Sequence, residues 1–449
     1  MHVVVIGNGI TGVTAAVTVR RLRPDARITL VSDETTHHYS RTALMYLYMG
    51  HLRYQDIKPF EDWFWTENRL ELVQATATNL NTTRKELSLS TDQTLSYDQL
   101  LLATGSVSRF ADWPGQHLRG VQGLYSLPDL EQMTRETHGI RQAVVVGGGL
   151  IGIELAEMLH SRGIQVTLLV RDDRYWASVL PKPEAELINL QLQAHNINVR
   201  YRTELAELLP DGEGRVRAVR TTAGEEIEAQ WVGLATGVKP NLALAQAAGL
   251  ETDRGILVSE LLETSAPGVF AAGDCAQHRQ VGTHEVPIEQ LWYTGRAQGE
   301  TVAHTICGQP TPYRRGPWFN SAKFFNLEYQ TYGRVPAELV EGEESFYWQH
   351  PNALHALRIN FQPAAGFAVT GMNTMGVRQR HEVWEQWLRA KKPIHDVLRE
   401  LGAANFDPEF FRQHEAAIVD QFNKQFPGQP VVLQRRKGLV ARLLSASGT

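Results

Sequence analysis

Apolar residues fall in short β-branched runs, each followed by a stretch with helical spacing, and this alternation sets the predicted elements. Val3 to Ile6 predicts a strand, Val13 to Leu22 a helix ending near Pro24, and Arg27 to Ser32 a second strand. The same order returns later: Ala143 to Val146, a helical pattern from Ile153 to His160 closed by Gly163, then Gln165 to Val170. Two strand–helix–strand units predict an α/β architecture. Beyond residue 312 the pattern changes. Trp318 to Phe325 and the alternating runs Leu327 to Gly333 and His355 to Phe361 predict strands of an α+β domain. Val383 to Leu388 carries apolar residues at helical spacing and reads as core packing.

Between strand and helix, each repeated unit carries the same glycine spacing: Gly7, Gly9 and Gly12 in the first, Gly147, Gly149 and Gly152 in the second. The first glycine of such a set permits a tight turn, the second removes a Cβ from the path of a pyrophosphate, and the third lets helix and strand pack closely. Backbone donors at the helix start then hold phosphate charge. Two copies in this context predict two Rossmann-like, three-layer dinucleotide-binding domains plus the C-terminal α+β domain. About twenty positions beyond the third glycine the copies diverge. The first has Asp33 and Glu34, carboxylates that can accept from ribose hydroxyls. The second has Arg171, whose guanidinium can pair with a 2′-phosphate, while Asp172 and Asp173 would repel one. The balance tilts slightly to NADPH over NADH; the other reading, with Arg171 and Arg174 as solvated surface charges, stays open.

Composition narrows the class. The 449 residues fit about three domains, and 43% hydrophobic with 21% charged residues supports packed cores rather than disorder. A formal charge of −5 argues against a broad cationic face for nucleic acid. Two cysteines, Cys275 and Cys307, make no disulfide framework and no zinc motif, and the sixteen histidines show no metal spacing, so no metal is expected. No apolar run reaches the length of a membrane span. The first strand starts at Val3, which leaves no room for a leader, and a cytoplasmic location is expected.

With both glycine sets in place, the chain resembles the pyridine nucleotide-disulfide oxidoreductase superfamily, especially members without a redox disulfide, such as rubredoxin and ferredoxin reductases and the flavoprotein portion of the NAD(P)H nitrite reductase large subunit. Leu101 to Gly105 resembles the strand closing the first half of the FAD domain, and Ala235-Thr236-Gly237 the one closing the nicotinamide domain. Thr264 to Asp274 resembles the second FAD signature. The resemblance covers roughly residues 1 to 310. It implies a discontinuous FAD domain, residues 1–112 and 244–312, around an NAD(P) domain at 113–243, with residues 313–449 as the third domain. It also implies cofactor contacts at Thr104, Gly105, Thr236, Gly237, Gly273 and Asp274.

Where disulfide reductases carry Cys-x-x-x-x-Cys, this chain has Tyr39 to Tyr46 with no thiol, which excludes thiol–disulfide exchange there. Cys275 and Cys307 read as packing residues. The resemblance pairs a cation in that segment, here Arg41, with a carboxylate on the second helix, here Glu154, either to hold hydride-transfer geometry or as a structural salt bridge. It makes Lys323 and Phe324 candidate flavin-edge residues and implies a homodimer interface in the third domain. The function implied is an FAD-dependent NAD(P)H oxidoreductase delivering electrons to a small ferredoxin- or rubredoxin-type carrier or a small molecule. Two rivals stand beside it. One is a peripheral-membrane NADH:quinone dehydrogenase anchored by the basic, apolar-striped segment from Gln434 to Leu444. The other is a flavin-binding sensor.

Overall fold

The computed structural model describes residues 1–282, 286–407 and 409–434. Its contacts divide the chain into two compact units, one of residues 1–172 and 197–315, the other of residues 173–196 and 316 onward.

In the first unit, His2–Ile6 is the central strand of a parallel five-stranded sheet ordered Val269–Ala271, Gln99–Leu102, His2–Ile6, Arg27–Ser32, Leu70–Gln74. Val3, Val4 and Val5 are fully buried. That is why the run is apolar without alternation, since a parallel sheet is covered on both faces. Helices Ile10–Leu22 and Trp292–Ile306 pack together where glycine allows it. A Cβ on Gly299 would stand 2.4 Å from Thr11 O. The plan is then repeated. Asn198–Tyr201, Gln165–Val170, Gln142–Val146, Val232–Leu234 and Val121–Gln122 form a second parallel sheet, with helix Leu150–Ser161 behind it. The repetition extends past the strand–helix–strand units. Each half also has a three-stranded antiparallel sheet, Ala77–Asn81 with Glu86–Leu89 and Thr94–Ser96, and Leu205–Pro210 with Val216–Thr221 and Glu226–Glu228. Between the halves the chain crosses twice, and the crossings, Ser106–Ser108 and Val238–Pro240, pair antiparallel.

In the second unit, five antiparallel strands run in the order Phe319–Phe324, Leu327–Gly333, Ala368–Met375, Ala356–Gln362, Glu344–Gln349. Helices His381–Arg389, Ile394–Arg399 and Glu415–Gln425 contribute to its core. Trp384 and Trp387 are buried there, as the helical spacing predicts. Helix Lys182–Ala194, which lies in sequence between two strands of the first unit's second sheet, belongs to this unit by contact. Its Glu184 meets Arg358 in a two-pronged ion pair, Nε to Oε1 at 2.5 Å and Nη2 to Oε2 at 2.9 Å, with the carboxylate almost wholly buried. The basic segment after Gln434 lies outside the described residues.

Candidate functional site

Each glycine set has two closed positions and one open one. Gly7 and Gly147 adopt φ of 104° and 128°, and a Cβ on either would stand 2.1 or 2.2 Å from the carbonyl oxygen of Ala103 or Ala235 on the neighbouring strand. Gly12 and Gly152 are equally closed, with a Cβ meeting the oxygens of Gly7 and Gly147 at 2.0 and 2.1 Å. Gly9 and Gly149 are different: a Cβ on either would meet nothing within 4 Å. The middle position of each loop thus faces open space at the start of a helix, and in both helices the residue before the first turn is this glycine, without a side-chain cap. Helix Leu127–Glu136 provides the contrast, since Ser126 caps it. Helix starts led by glycine and without side-chain caps fit a dinucleotide pyrophosphate.

The two halves align residue by residue. Gly7 N–H donates to Val31 O at 2.8 Å, and Gly147 N–H donates to Leu169 O at 2.9 Å. Two residues beyond each acceptor stand Asp33 and Arg171, both exposed. The carboxylate of the first half and the guanidinium of the second therefore occupy equivalent positions.

Glu34 turns away from Asp33 into a polar cluster. It pairs with Arg41 Nη2 at 2.7 Å, receives the Tyr39 hydroxyl, and accepts from Leu127 N–H at 2.8 Å. Burial pushes its carboxyl up, but Arg41 and these hydrogen bonds outweigh burial and hold it below its ordinary value. Arg41 Nη1 donates to Tyr125 O at 2.6 Å, and its guanidinium lies 4.4 Å from the centre of the Tyr125 ring. The Tyr125 hydroxyl accepts from Ser106 N–H at 2.9 Å and lies 3.5 Å from Asp274 Oδ2. Ser106 Oγ donates to the same oxygen at 3.1 Å and accepts from Gln290 Nε2 at 2.8 Å. Burial pushes the Asp274 carboxyl above its ordinary value. Tyr39, Ser106, Tyr125 and Gln290 carry no motif in the sequence; only the fold brings them to Arg41 and Asp274. His38 lies nearby, its Nδ1 2.8 Å from Asn8 O, and burial lowers it to about 4, so it is neutral at pH 7.

Two expectations are corrected. Arg41 is paired with Glu34 rather than Glu154, because the turn after Arg27–Ser32 brings Glu34 to the guanidinium first. Glu154, in the second turn of Leu150–Ser161, forms no ion pair among the described residues. Burial and then the neighbouring Glu157 push it up to about 7. Phe324 is fully buried against Trp176 and Tyr329 of the second unit, so it is a packing residue and not a flavin edge. The threonines of the two Ala-Thr-Gly segments donate their hydroxyls to the crossings: Thr104 Oγ1 to Asn241 O and Thr236 Oγ1 to Arg109 O, each at 2.9 Å. They lock the chain's two passages between the halves. Gly105, Gly237 and Gly273 have positive φ at the turns that end these segments. Lys323 lies opposite Glu328 on a strand pair of the second unit. Both cysteines are buried, with thiols raised chiefly by burial, as packing residues would be. Among the described residues no cluster of metal-ligating side chains occurs and no helix is long and apolar enough to cross a membrane.

Comparison with known proteins agrees with this geometry. The family model for pyridine nucleotide-disulphide oxidoreductases matches residues 1–299. Nitrite reductase [NAD(P)H] of Bacillus subtilis (strain 168) is 30% identical over 317 residues, which is 70% of this chain and 38% of that protein. The ferredoxin–NAD(+) reductase subunit of a benzene 1,2-dioxygenase system in Pseudomonas putida is 32% identical over 309 residues, 69% of this chain and 75% of that one. The solved structure of an NAD-dependent persulfide reductase from A. fulgidus superposes with a TM-score of 0.82 at 25% identity, covering 95% of this chain and 84% of that one. The chain spans only 38% and 40% of the length of the two Bacillus subtilis relatives, nitrite reductase and the assimilatory nitrate reductase electron transfer subunit.

Proposed function

The chain belongs to the pyridine nucleotide-disulphide oxidoreductase family, and from that premise we propose that it is an FAD-dependent NAD(P)H oxidoreductase. The observation that carries this reading is the pair of glycine-led helix starts, each without a side-chain cap and each with a middle glycine whose Cβ position faces open space. In this reading residues 1–112 and 244–312 hold FAD and residues 113–243 the nicotinamide dinucleotide. Gly7, Gly9 and Gly12 shape the first cradle, Asp33 accepts from the adenosine ribose, and Gly273 with Asp274 closes on the other end. Gly147, Gly149, Gly152 and Arg171 do the same for the nicotinamide dinucleotide. When bound, the flavin supplies hydride acceptance from the nicotinamide and onward electron delivery.

The chain's own residues orient and insulate. Arg41, fixed by Glu34 and Tyr125, holds a permanent positive charge in the segment where disulfide reductases keep their thiols. Asp274 accepts from Ser106 Oγ and lies beside the Tyr125 hydroxyl, so the chain's own residues orient its carboxylate. With no cysteine in Tyr39 to Tyr46, no thiol stands between reductant and acceptor. The acceptor in this reading is a small ferredoxin- or rubredoxin-type electron carrier, in line with the ferredoxin–NAD(+) reductase relative; a small molecule is the alternative. Arg171 in place of an acid favours NADPH over NADH.

Anaerobic mixing with NADPH and with NADH, followed at the flavin's visible absorbance band, tests the reading. Bleaching by at least one of the two is expected. A flavin-loaded protein that neither reduces would refute it.

A further inference from the structure

Two successive residues ahead of helix Trp292–Ile306 reach the turn at the end of the second FAD signature, each through one intermediary. Gln290 Nε2 donates to Ser106 Oγ, which donates to the Asp274 carboxylate. Glu289 acts on the backbone of the same turn. Its Oε2 accepts from Gln298 Nε2 at 3.2 Å, and Gln298 Oε1 accepts from Gly273 N–H at 2.7 Å. Gln298 is fully buried and Glu289 is 3% exposed, so neither bond is shared with bulk water. Neither residue belongs to a glycine pattern, and Glu289 lies sixteen positions beyond Gly273.

A glutamine amide accepts at one end and donates at the other, so its partners decide which way it points. Gly273 N–H needs the accepting end, and a carboxylate takes only the donating end. Glu289 therefore fixes the amide in the orientation that serves Gly273. The carboxylate is itself pinned, since Oε2 also accepts from the Tyr313 hydroxyl at 2.8 Å and Oε1 lies 3.4 Å from Arg315 Nη1. Burial, and then Glu289, push the Tyr313 hydroxyl above its ordinary value, so it stays a donor. The turn is also tight against the helix of the first cradle: Gly273 has φ of 79°, and a Cβ there would overlap Thr11 Oγ1. Close packing against Thr11 and the bond to Gln298 hold one short stretch of backbone between them, and that stretch carries Asp274.

We infer that Glu289 is a positioning residue for the flavin: through Gln298 it sets the Gly273 amide, and with it the direction in which Asp274 meets the cofactor. The inference rests on the reading of residues 1–112 and 244–312 as the flavin domain. A group that contacts a ligand holds its geometry only as well as the residues behind it do, and a buried, charge-anchored amide is a stiff support.

Titration of the flavin-free protein with FAD, read by flavin fluorescence and by visible circular dichroism, tests this role. Gln298→Met removes both ends of the amide at similar volume and is expected to raise the FAD Kd about tenfold. Glu289→Gln keeps the shape but lets the Gln298 amide point either way. It is expected to raise the Kd about fivefold and to change the dichroism of the flavin that still binds, which a loss of stability alone would not do. Combined with Gln298→Met, it should add less than about twofold, because its effect runs through the amide. Tyr313→Phe removes one donor from Glu289 and keeps its charge, so it serves as the milder variant if Glu289→Gln does not fold, with about a twofold rise in Kd and the same change in dichroism. Wild-type Kd and dichroism in Glu289→Gln, or in Tyr313→Phe where that variant stands in, would overturn the inference, as would losses that multiply in the double variant. A wild type that takes up no FAD would overturn the flavin reading itself, whereas normal uptake with unaffected variants removes only the role of Glu289.

Discussion

Glu34 and Glu154 are carboxylates placed close to the expected cofactor paths, and their surroundings drive them in opposite directions. Glu34, with its side chain 16% exposed, has Arg41, Tyr39 and Leu127 N–H as partners. Glu34→Gln leaves the Arg41 guanidinium without its counter-charge and should cost about 2–4 kcal/mol in urea denaturation at neutral pH. Because the Glu34 carboxyl is held below its ordinary value, that contribution is present above the usual carboxylate range and is lost as pH falls through the lowered value. The gap between wild type and variant should therefore narrow in acid. Glu154 works the other way. Raised to about 7 from 4.5, it keeps its proton after the unfolded chain has lost it, so its contribution is fully present below about 4.5 and is lost as pH rises through about 7. Its side chain is partly open to solvent, which screens the effect, so Glu154→Gln should gain about 1–2 kcal/mol on the wild type between pH 5 and pH 8. A constant difference in melting temperature across that range would show that the carboxyl titrates normally. At this scale the sequence exposed the glycines, Asp33 and Arg171, because each is fixed by spacing within one strand–helix–strand unit. It did not expose the partner of Arg41. Glu34 is seven positions away, but Tyr125 and Asp274 reach the cluster through separate turns, and no spacing rule links them.

At the scale of elements, the loop-to-helix transitions separate folding from binding within a few residues. Gly152 is closed by Gly147 O, so Gly152→Ala forces the backbone apart and should destabilise by about 2–4 kcal/mol. Gly149 faces open space, so Gly149→Ala should leave melting nearly unchanged, yet it places a methyl group in the approach to the second helix and should raise the Kd for NAD(P)H by roughly tenfold or more without loss of bound flavin. Equal melting losses in the two variants would contradict this division of labour. The apolar runs located the central strands and both cradle helices, although each helix begins about three residues earlier than its apolar pattern, directly after the open glycine. That start is set by the loop's hydrogen bonding and leaves no hydrophobic trace. The three-stranded sheets repeated in the two halves stayed unread for a related reason. Their strands are short and their outer positions polar, so alternation is too brief to register.

For the molecule as a whole, duplication is the feature the sequence made plainest, since two glycine sets in equivalent contexts require two sheets of the same plan. Less legible was the grouping of residues 173–196 with the C-terminal unit. The buried Glu184–Arg358 pair within that unit joins residues 174 positions apart, and helix Lys182–Ala194 carries an apolar face that either neighbour could have claimed from sequence alone. The central claim is that one chain builds two separate dinucleotide cradles, and equilibrium binding stoichiometry reaches it most directly. Titration of the flavin-free protein with FAD, followed by NADP⁺ on the reconstituted protein, should give one tightly held flavin per chain and one further dinucleotide that leaves the flavin in place, with Gly149→Ala weakening only the second. Failure to take up FAD, or displacement of FAD by NADP⁺ at a shared site, would contradict the account.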